Sequence, residues 1–170
     1  MISIREESAE DPDSIRAVHL QAFPSAVESQ LVDALRASGK ATISWVAEEN
    51  GSVVGHVLFS PVSVVERQPG WARGLGLAPV AVIPGFQSKG AGSALIKTGL
   101  EAARKAGYRF VVVLGKPAYY ARFGFQKASM LGLANEYGVD DPFMVLELVP
   151  GGLEGISGLV KYASEFGAFT

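Results

Sequence analysis

The chain has 170 residues, no cysteine, and 15 basic against 17 acidic residues for a formal net charge of −2. That length suits one domain with a core of its own. The missing cysteines exclude disulfides, thiol catalysis and cysteine-ligated metal, and basic residues scattered among acidic ones give no electrostatic footprint for nucleic acid.

The first residues, MISIREESAEDPD, are acidic where a secretory leader is basic and then apolar, and no apolar run is long enough to span a bilayer. The expectation is a cytoplasmic protein with no membrane or nucleic-acid partner, organised as a single domain over residues 1–170. ISIREE alternates as a half-buried strand does, and Asp11-Pro12 supplies an N-cap with proline in the first helical turn. Ile15, Val18 and Ala22 share one face, which predicts a helix over 12–22 broken at Phe23-Pro24. Val27, Leu31, Ala34 and Leu35 predict a second helix ending at Ser38-Gly39. ATISWVAEE and VVGHVLFSPVSVVE flank Asn50-Gly51, the strongest hairpin signal in the chain.

RGLGLAPVAVI reads as the next strand, but Pro79 lacks an N–H and so marks an edge, a bulge or a split. After a glycine-rich turn, Ala94, Leu95, Thr98, Leu100, Ala102 and Ala103 form a helix stopped by Gly107. RFVVVLG is a buried strand, so strand, turn, helix and strand make a βαβ unit. PAYYARFG reads as a short helix closing on Gly124, FMVLELV as a core strand over 143–149, and GLVKY in the tail as one more strand.

The turn itself, IPGFQSKGAGSAL, carries Gly85, Gly90 and Gly92 at the start of a helix. The first N–H groups of a helix have no internal acceptor and sit at the positive end of its dipole, so an anion site is one reading. Ordinary turn and close-packing glycines are the other. The turn is not a P-loop, since Ala91 and Gly92 stand where Lys and Ser/Thr are needed. Nor is it a dinucleotide fingerprint, since Gly90-Ala91-Gly92-Ser93-Ala94 ends in Leu95.

Element order and turn together resemble the GNAT N-acetyltransferases, whose Q/R-x-x-G-x-G/A signature stands here as Gln87-Ser88-Lys89-Gly90-Ala91-Gly92. The segments GLGLAPVAVIPGFQSKGAG, VVVLGKPAYYARFGF and GISGLVKYASEF resemble the YhbS-like branch of that family. The resemblance implies an α/β (α+β) fold with a mixed, mostly antiparallel sheet splayed between its fourth and fifth strands and helices on both faces. It also implies acetyl-CoA as co-substrate, with no metal. The pyrophosphate would be wrapped by backbone N–H groups of the turn, with Gln87, Ser88, Lys89, Gly90, Ala91, Gly92 and Ser93 as its residues. The pantetheine arm would bond the backbone of Val80, Ala81 and Val82 like an added strand.

The resemblance further implies a role for Tyr120, whose Tyr120-Ala121-Arg122-Phe123-Gly124-Phe125 matches Y-x-x-x-G-F. In the family that tyrosine faces the thioester sulfur and often protonates the leaving thiolate. An aromatic anchor for a short helix is the alternative, and Tyr119, about 100° round the helix, packs or lines a wall. Where many relatives carry N-x-x-A, this chain has Val113 and Lys116, so the asparagine contact to the CoA arm is absent and Lys116 or Tyr119 is its candidate replacement.

The reading is an N-acetyltransferase acting by direct attack of a neutral primary amine of a small molecule or peptide, in a ternary complex. A backbone N–H near Val80, Ala81 or Val82 would polarise the thioester carbonyl. No residue stands out as general base: His56 reads as a satisfied or surface strand histidine, His19 as a helix residue, and Glu28, Glu48 and Glu66 as solvated side chains. Trp71 either lines the acceptor groove or shields a strand edge. A non-catalytic acyl-CoA sensor is the alternative function, and a homodimer is left open.

Overall fold

The computed structural model describes residues 1–169, which fall into two compact units: Met1–Phe59, Ala78–Glu101 and the segment from Ser164 on, and Ser60–Leu77 with Ala102–Ala163. Three elements run from one unit into the other: the strands Ser52–Val64 and Gly74–Val82 and the helix Ala91–Lys105. The fold is mixed α/β. Its strands hydrogen-bond in the order β1 (Ser3–Glu6), β2 (Ile43–Glu49), β3 (Ser52–Val64), β4 (Gly74–Val82), β5 (Phe110–Leu114), β8 (Phe143–Glu147), β6 (Gln126–Lys127), with β9 (Gly158–Lys161) against β3 and β7 (Leu133–Asn135) against β9.

In the first unit, β1 (Ser3–Glu6) pairs antiparallel with β2 (Ile43–Glu49), and β2 with the first part of β3 (Ser52–Val64). Asn50 and Gly51 join β2 to β3 with φ of 52° and 80°, the two positive values that a type I′ turn needs and that an Asn-Gly pair tolerates. α1 (Pro12–Ala22) and α2 (Val27–Ala37) bury Ile15, Val18, Leu31, Val32 and Leu35, each contributing ~1.5–3 kcal/mol of burial. Both helices have the bounds that apolar spacing predicts, but the cap does not form as expected. The Asp11 side chain makes no cap bond. Its carboxylate accepts two hydrogen bonds from the Arg5 guanidinium, at 2.7 and 3.0 Å, and one from the Ser8 N–H at 2.7 Å. A charged donor pair outcompetes the neutral helix N–H, leaving the Asp11 carbonyl to take the first intrahelical bond from Ile15.

α3 (Ala91–Lys105) starts at Ala91, a turn ahead of the apolar pattern that begins at Ala94. Two of its residues meet strand side chains in this unit: a Cβ at Gly99 would run into the Phe59 ring, and the Leu95 side chain lies beside Gly55. Lys40 binds Glu165 at 2.8 Å and so ties the 3₁₀ helix Ser164–Phe169 to the end of α2.

In the second unit, β4 (Gly74–Val82) pairs parallel with β5 (Phe110–Leu114) through Gly74, Leu75 and Gly76 against Phe110, Val111 and Val112. This confirms the βαβ unit. β4 runs on through Pro79, whose peptide bond to Ala78 is cis, to Val82. β5 pairs antiparallel with β8 (Phe143–Glu147), and β8 with β6 (Gln126–Lys127). α4 (Pro117–Ala121) follows β5 and closes on Gly124 at φ 96°. The tail strand is real: β9 (Gly158–Lys161) pairs with the end of β3 and, in parallel, with β7 (Leu133–Asn135). β6 and β7 have only two and three residues, too short for a period-2 pattern to register.

Candidate active site

The glycine turn is built from three conformational choices. A single 3₁₀ turn, Pro84–Phe86, leaves β4; Ser88 then takes φ 62° and Gly90 φ 85°; and the first helical bond of α3 runs from the Ala94 N–H to the Gly90 carbonyl at 3.0 Å. The N–H groups of Ala91 and Gly92 lie ahead of that bond and have no acceptor within the helix, at the positive end of its dipole. A Cβ at Gly85 or Gly90 would meet nothing within 4 Å, so both sit against open space. Gly90 is required by its backbone; Gly85 has no positive φ to require it.

Gln87 does something sequence reasoning missed. Its side-chain amide donates to the Val82 carbonyl at 2.9 Å, tying the turn to the end of β4 and using one of its two N–H groups. The Ile83 N–H, 2.9 Å from the Val54 carbonyl, holds the same point from the other side. Ala81 is buried, whereas Val80 and Val82 are half-buried. Lys89 lies over the Phe86 ring with its Nζ 5.4 Å from the centroid, still exposed.

Tyr120 sits on α4 and is 8% exposed. Its ring is perpendicular to that of Tyr119 with centroids 5.0 Å apart, and edge-on to Phe125 at 5.6 Å. The perpendicular rings put Tyr119 in edge contact with Tyr120. Burial first, and Tyr119 second, push the Tyr120 phenol up from 10 to about 12, because a phenolate there would lose its hydration. The group is therefore a protonated donor throughout the neutral range. Lys116, at the spacing where relatives carry Ala, is exposed, and its carbonyl accepts the N–H groups of Tyr119 and Tyr120, both at 3.1 Å. Val113 is buried in β5.

His56 is the satisfied core residue of the two readings given for it. It is fully buried, its Nδ1 2.8 Å from His19 Nε2 and its Nε2 2.8 Å from Ser44 Oγ. Ser44 in turn meets Glu7 at 2.6 Å, and Glu7 is paired with Arg36 at 2.9 Å. His19, expected as an ordinary helix residue, is the other half of that pair. No motif announces the pairing, since 37 residues separate the two rings. Glu48 is committed to Arg5 at 3.1 Å. Glu66 is exposed, as is Trp71, whose ring carries the Arg67 guanidinium 4.7 Å from its centroid. Glu28 is half-buried with Oε1 shielded and unpartnered. Among the described residues no group of three or more His, Asp or Glu could hold a metal ion, and no helix is long and apolar enough to cross a membrane.

The parallel pair β4–β5, joined through the glycine turn and the helix it opens, is an α/β arrangement that offers a helix N-terminus to an anion. The model of the acetyltransferase (GNAT) family matches residues 12–125, and the chain belongs to that family. It is 38% identical over 168 residues to the uncharacterized N-acetyltransferase YhbS of Escherichia coli K12, covering 98% of this chain and 99% of that protein. The crystal structure of E. coli YhbS in complex with CoA superposes with a TM-score of 0.93 at 36% identity, over 99% of this chain and 93% of that one. A GNAT family acetyltransferase from Brucella melitensis, in complex with acetyl-CoA, gives 0.80 at 37% identity over 98% of each chain.

Proposed function

We propose that this acetyltransferase moves the acetyl group of acetyl-CoA to a primary amine of a small molecule or peptide, by direct attack in a ternary complex in the cytoplasm, with residues 1–170 acting as one acetyltransferase domain. The observation that carries the reading is the turn from Gln87 to Ser93. Its left-handed Ser88 and Gly90 open the N-terminus of α3 toward space that side chains leave clear, which is what a pyrophosphate needs. The relatives solved with CoA and acetyl-CoA support it. Ser88, Lys89, Gly90, Ala91, Gly92 and Ser93 hold the diphosphate, Gln87 braces the turn, and Val80, Ala81 and Val82 offer backbone groups to the pantetheine arm.

The amine attacks only when neutral. A lysine-like amine of pKa ~10.4 is neutral in about one molecule in a few thousand at pH 7, roughly 4–5 kcal/mol of proton removal. The acetyl carbonyl is polarised by a backbone N–H of the residues 80–82, and the Tyr120 hydroxyl donates to the departing sulfur. A phenol near 12 facing an ordinary thiol of pKa ~8.5 makes full transfer uphill by about 3.5 units, or ~5 kcal/mol. Desolvation raises the basicity of the thiolate and narrows that gap. Tyr120 therefore acts in the order hydrogen-bond donor, then general acid.

The test is thiol release from acetyl-CoA with spermidine, free lysine, kanamycin and a lysine peptide as acceptors. The chain has no cysteine to add background. Turnover with one amine class supports the enzyme. CoA binding by calorimetry without release from any of them leaves an acyl-CoA sensor as the function.

A further inference from the structure

We infer that Gly115 is a positioning residue for Tyr120, present because the tyrosine ring occupies the space of its side chain. The inference rests on the reading of Tyr120 as the proton donor. Gly115 lies between the end of β5 and the start of α4, and its N–H donates to the Pro142 carbonyl at 3.0 Å. Its φ lies outside the left-handed range. A positive φ therefore does not demand glycine there. Contact does: a Cβ built on Gly115 would fall inside van der Waals range of three Tyr120 ring carbons, 2.8 Å from Cδ2, 3.3 Å from Cζ and closer still to Cε2.

The ring cannot yield cheaply. Tyr119, Phe123 and Phe125 surround it with centroids 5.0, 6.2 and 5.6 Å away, and the α4 backbone that carries it is fixed by the Lys116 carbonyl below and the Phe123 N–H above. Relieving the clash needs a ring shift on the order of 1 Å, the distance between a Cβ contact under 3 Å and an ordinary one of ~3.5–4 Å. The hydroxyl at the far end of the ring moves with it. A donor must stand within ~2.6–3.2 Å of the atom it protonates, and a displacement of that size costs about 10²-fold in rate. Gly115 thus sets where the Tyr120 proton is delivered.

The experiment compares Gly115→Ala, Tyr120→Phe and the double variant for kcat, with acetyl-CoA and the fastest amine among spermidine, lysine, kanamycin and the lysine peptide, and for CoA affinity by calorimetry. Gly115→Ala is expected to lower kcat ~10²-fold with CoA affinity within about twofold, and to add no loss on the Tyr120→Phe background, where no hydroxyl remains to misplace. A kcat for Gly115→Ala within about a factor of two of the parent, or a loss that multiplies with that of Tyr120→Phe, overturns the inference. Full activity of Tyr120→Phe instead removes the donor reading itself. Should Gly115→Ala fold poorly, its effect on Tm is measured on the Tyr120→Ala background: the penalty disappears if the ring is what the Cβ meets, and persistence of the full penalty overturns the contact.

Discussion

His19 Nε2 lies 2.8 Å from His56 Nδ1 with both rings fully buried, and the groups beyond them fix which nitrogen carries each proton. Ser44 Oγ has one proton, and Glu7, paired with Arg36, can only accept it. Ser44 therefore accepts from His56 Nε2–H, His56 Nδ1 is bare, and His19 Nε2–H fills it. Every donor in this relay points toward Glu7. His19 Nδ1 is left as a buried acceptor with no partner among the described residues.

That arrangement holds only while both rings are neutral. Burial, with Arg36 adding to it and Asp33 opposing, pulls His19 from 6.5 down to about 4. Burial, then His19 and Arg36, pulls His56 down as well, against Asp11. Glu7 Oε1 is 3.8 Å from His56 Nε2, but Ser44 already bonds both, and desolvation wins. The unfolded chain binds these protons below 6.5 while the folded chain refuses them, so stability is full above 6.5 and falls as pH drops toward 4. His19 alone accounts for about 3 kcal/mol over that window. Asp11, whose carboxyl the Arg5 guanidinium holds at about 2, contributes stability that is lost only below 3.8. Urea unfolding at pH 7.5, 6, 5 and 4.5 should show the midpoint dropping across the histidine window, and His19→Gln should flatten it.

Ser44→Ala removes the hydroxyl that accepts from His56 Nε2–H and stands between that ring and Glu7. Leaving a buried N–H without an acceptor costs about 1–3 kcal/mol. Thermal unfolding at pH 7.5 should show a clear loss of Tm, with Ser44→Thr recovering most of it because the hydroxyl returns.

Gly90→Val is expected to weaken CoA several-fold or more, and two effects contribute. One is strain, since φ 85° costs an ordinary side chain about 1–2 kcal/mol. The other is a new Cβ in space the turn leaves clear. Gly90→Asn separates them, because asparagine tolerates the left-handed region yet still fills the space. Calorimetry should find both variants impaired while Gly85→Ala, free of backbone strain, binds as the parent does; unchanged affinity for Gly90→Asn would assign the glycine to backbone geometry alone.

Tyr120→Phe should keep the fold and CoA affinity and lower kcat ~10²-fold or somewhat more, with Tyr119→Phe within about a factor of two. Because burial raises the phenol to about 12, the proton-donating form persists as pH rises past 10, where an exposed tyrosine would ionise. An alkaline fall in kcat centred near 10 that vanishes in Tyr120→Phe would contradict the buried donor. Equal, small effects at both tyrosines would leave water or the product amine as the proton source.

Local signals decided the elements that the sequence marks strongly. The bounds of α1 and α2, the Asn50-Gly51 turn and the βαβ unit around the glycine turn follow from periodicity and from residues with restricted or unusual backbones, because such preferences act within a few residues. The roles proposed for Tyr120 and for the turn from Gln87 to Ser93 rest on motifs, which record residue types at fixed spacing.

What the chain brings together over long separations was not. His19 meets His56 across 37 residues and Ser44 meets Glu7 across another 37, and only packing of α1 and β1 with the strands β2 and β3 creates those contacts. Asp11 reads as a helix cap until Arg5 is placed beside it, since a local preference yields to a charged partner supplied by an adjacent strand. Gly115 reads as the end of the RFVVVLG strand until the Tyr120 ring fills its Cβ position. A sequence records which conformations a residue tolerates; which atoms occupy the space beside it is decided when the chain closes on itself, because excluded volume is a property of the packed structure and not of the string.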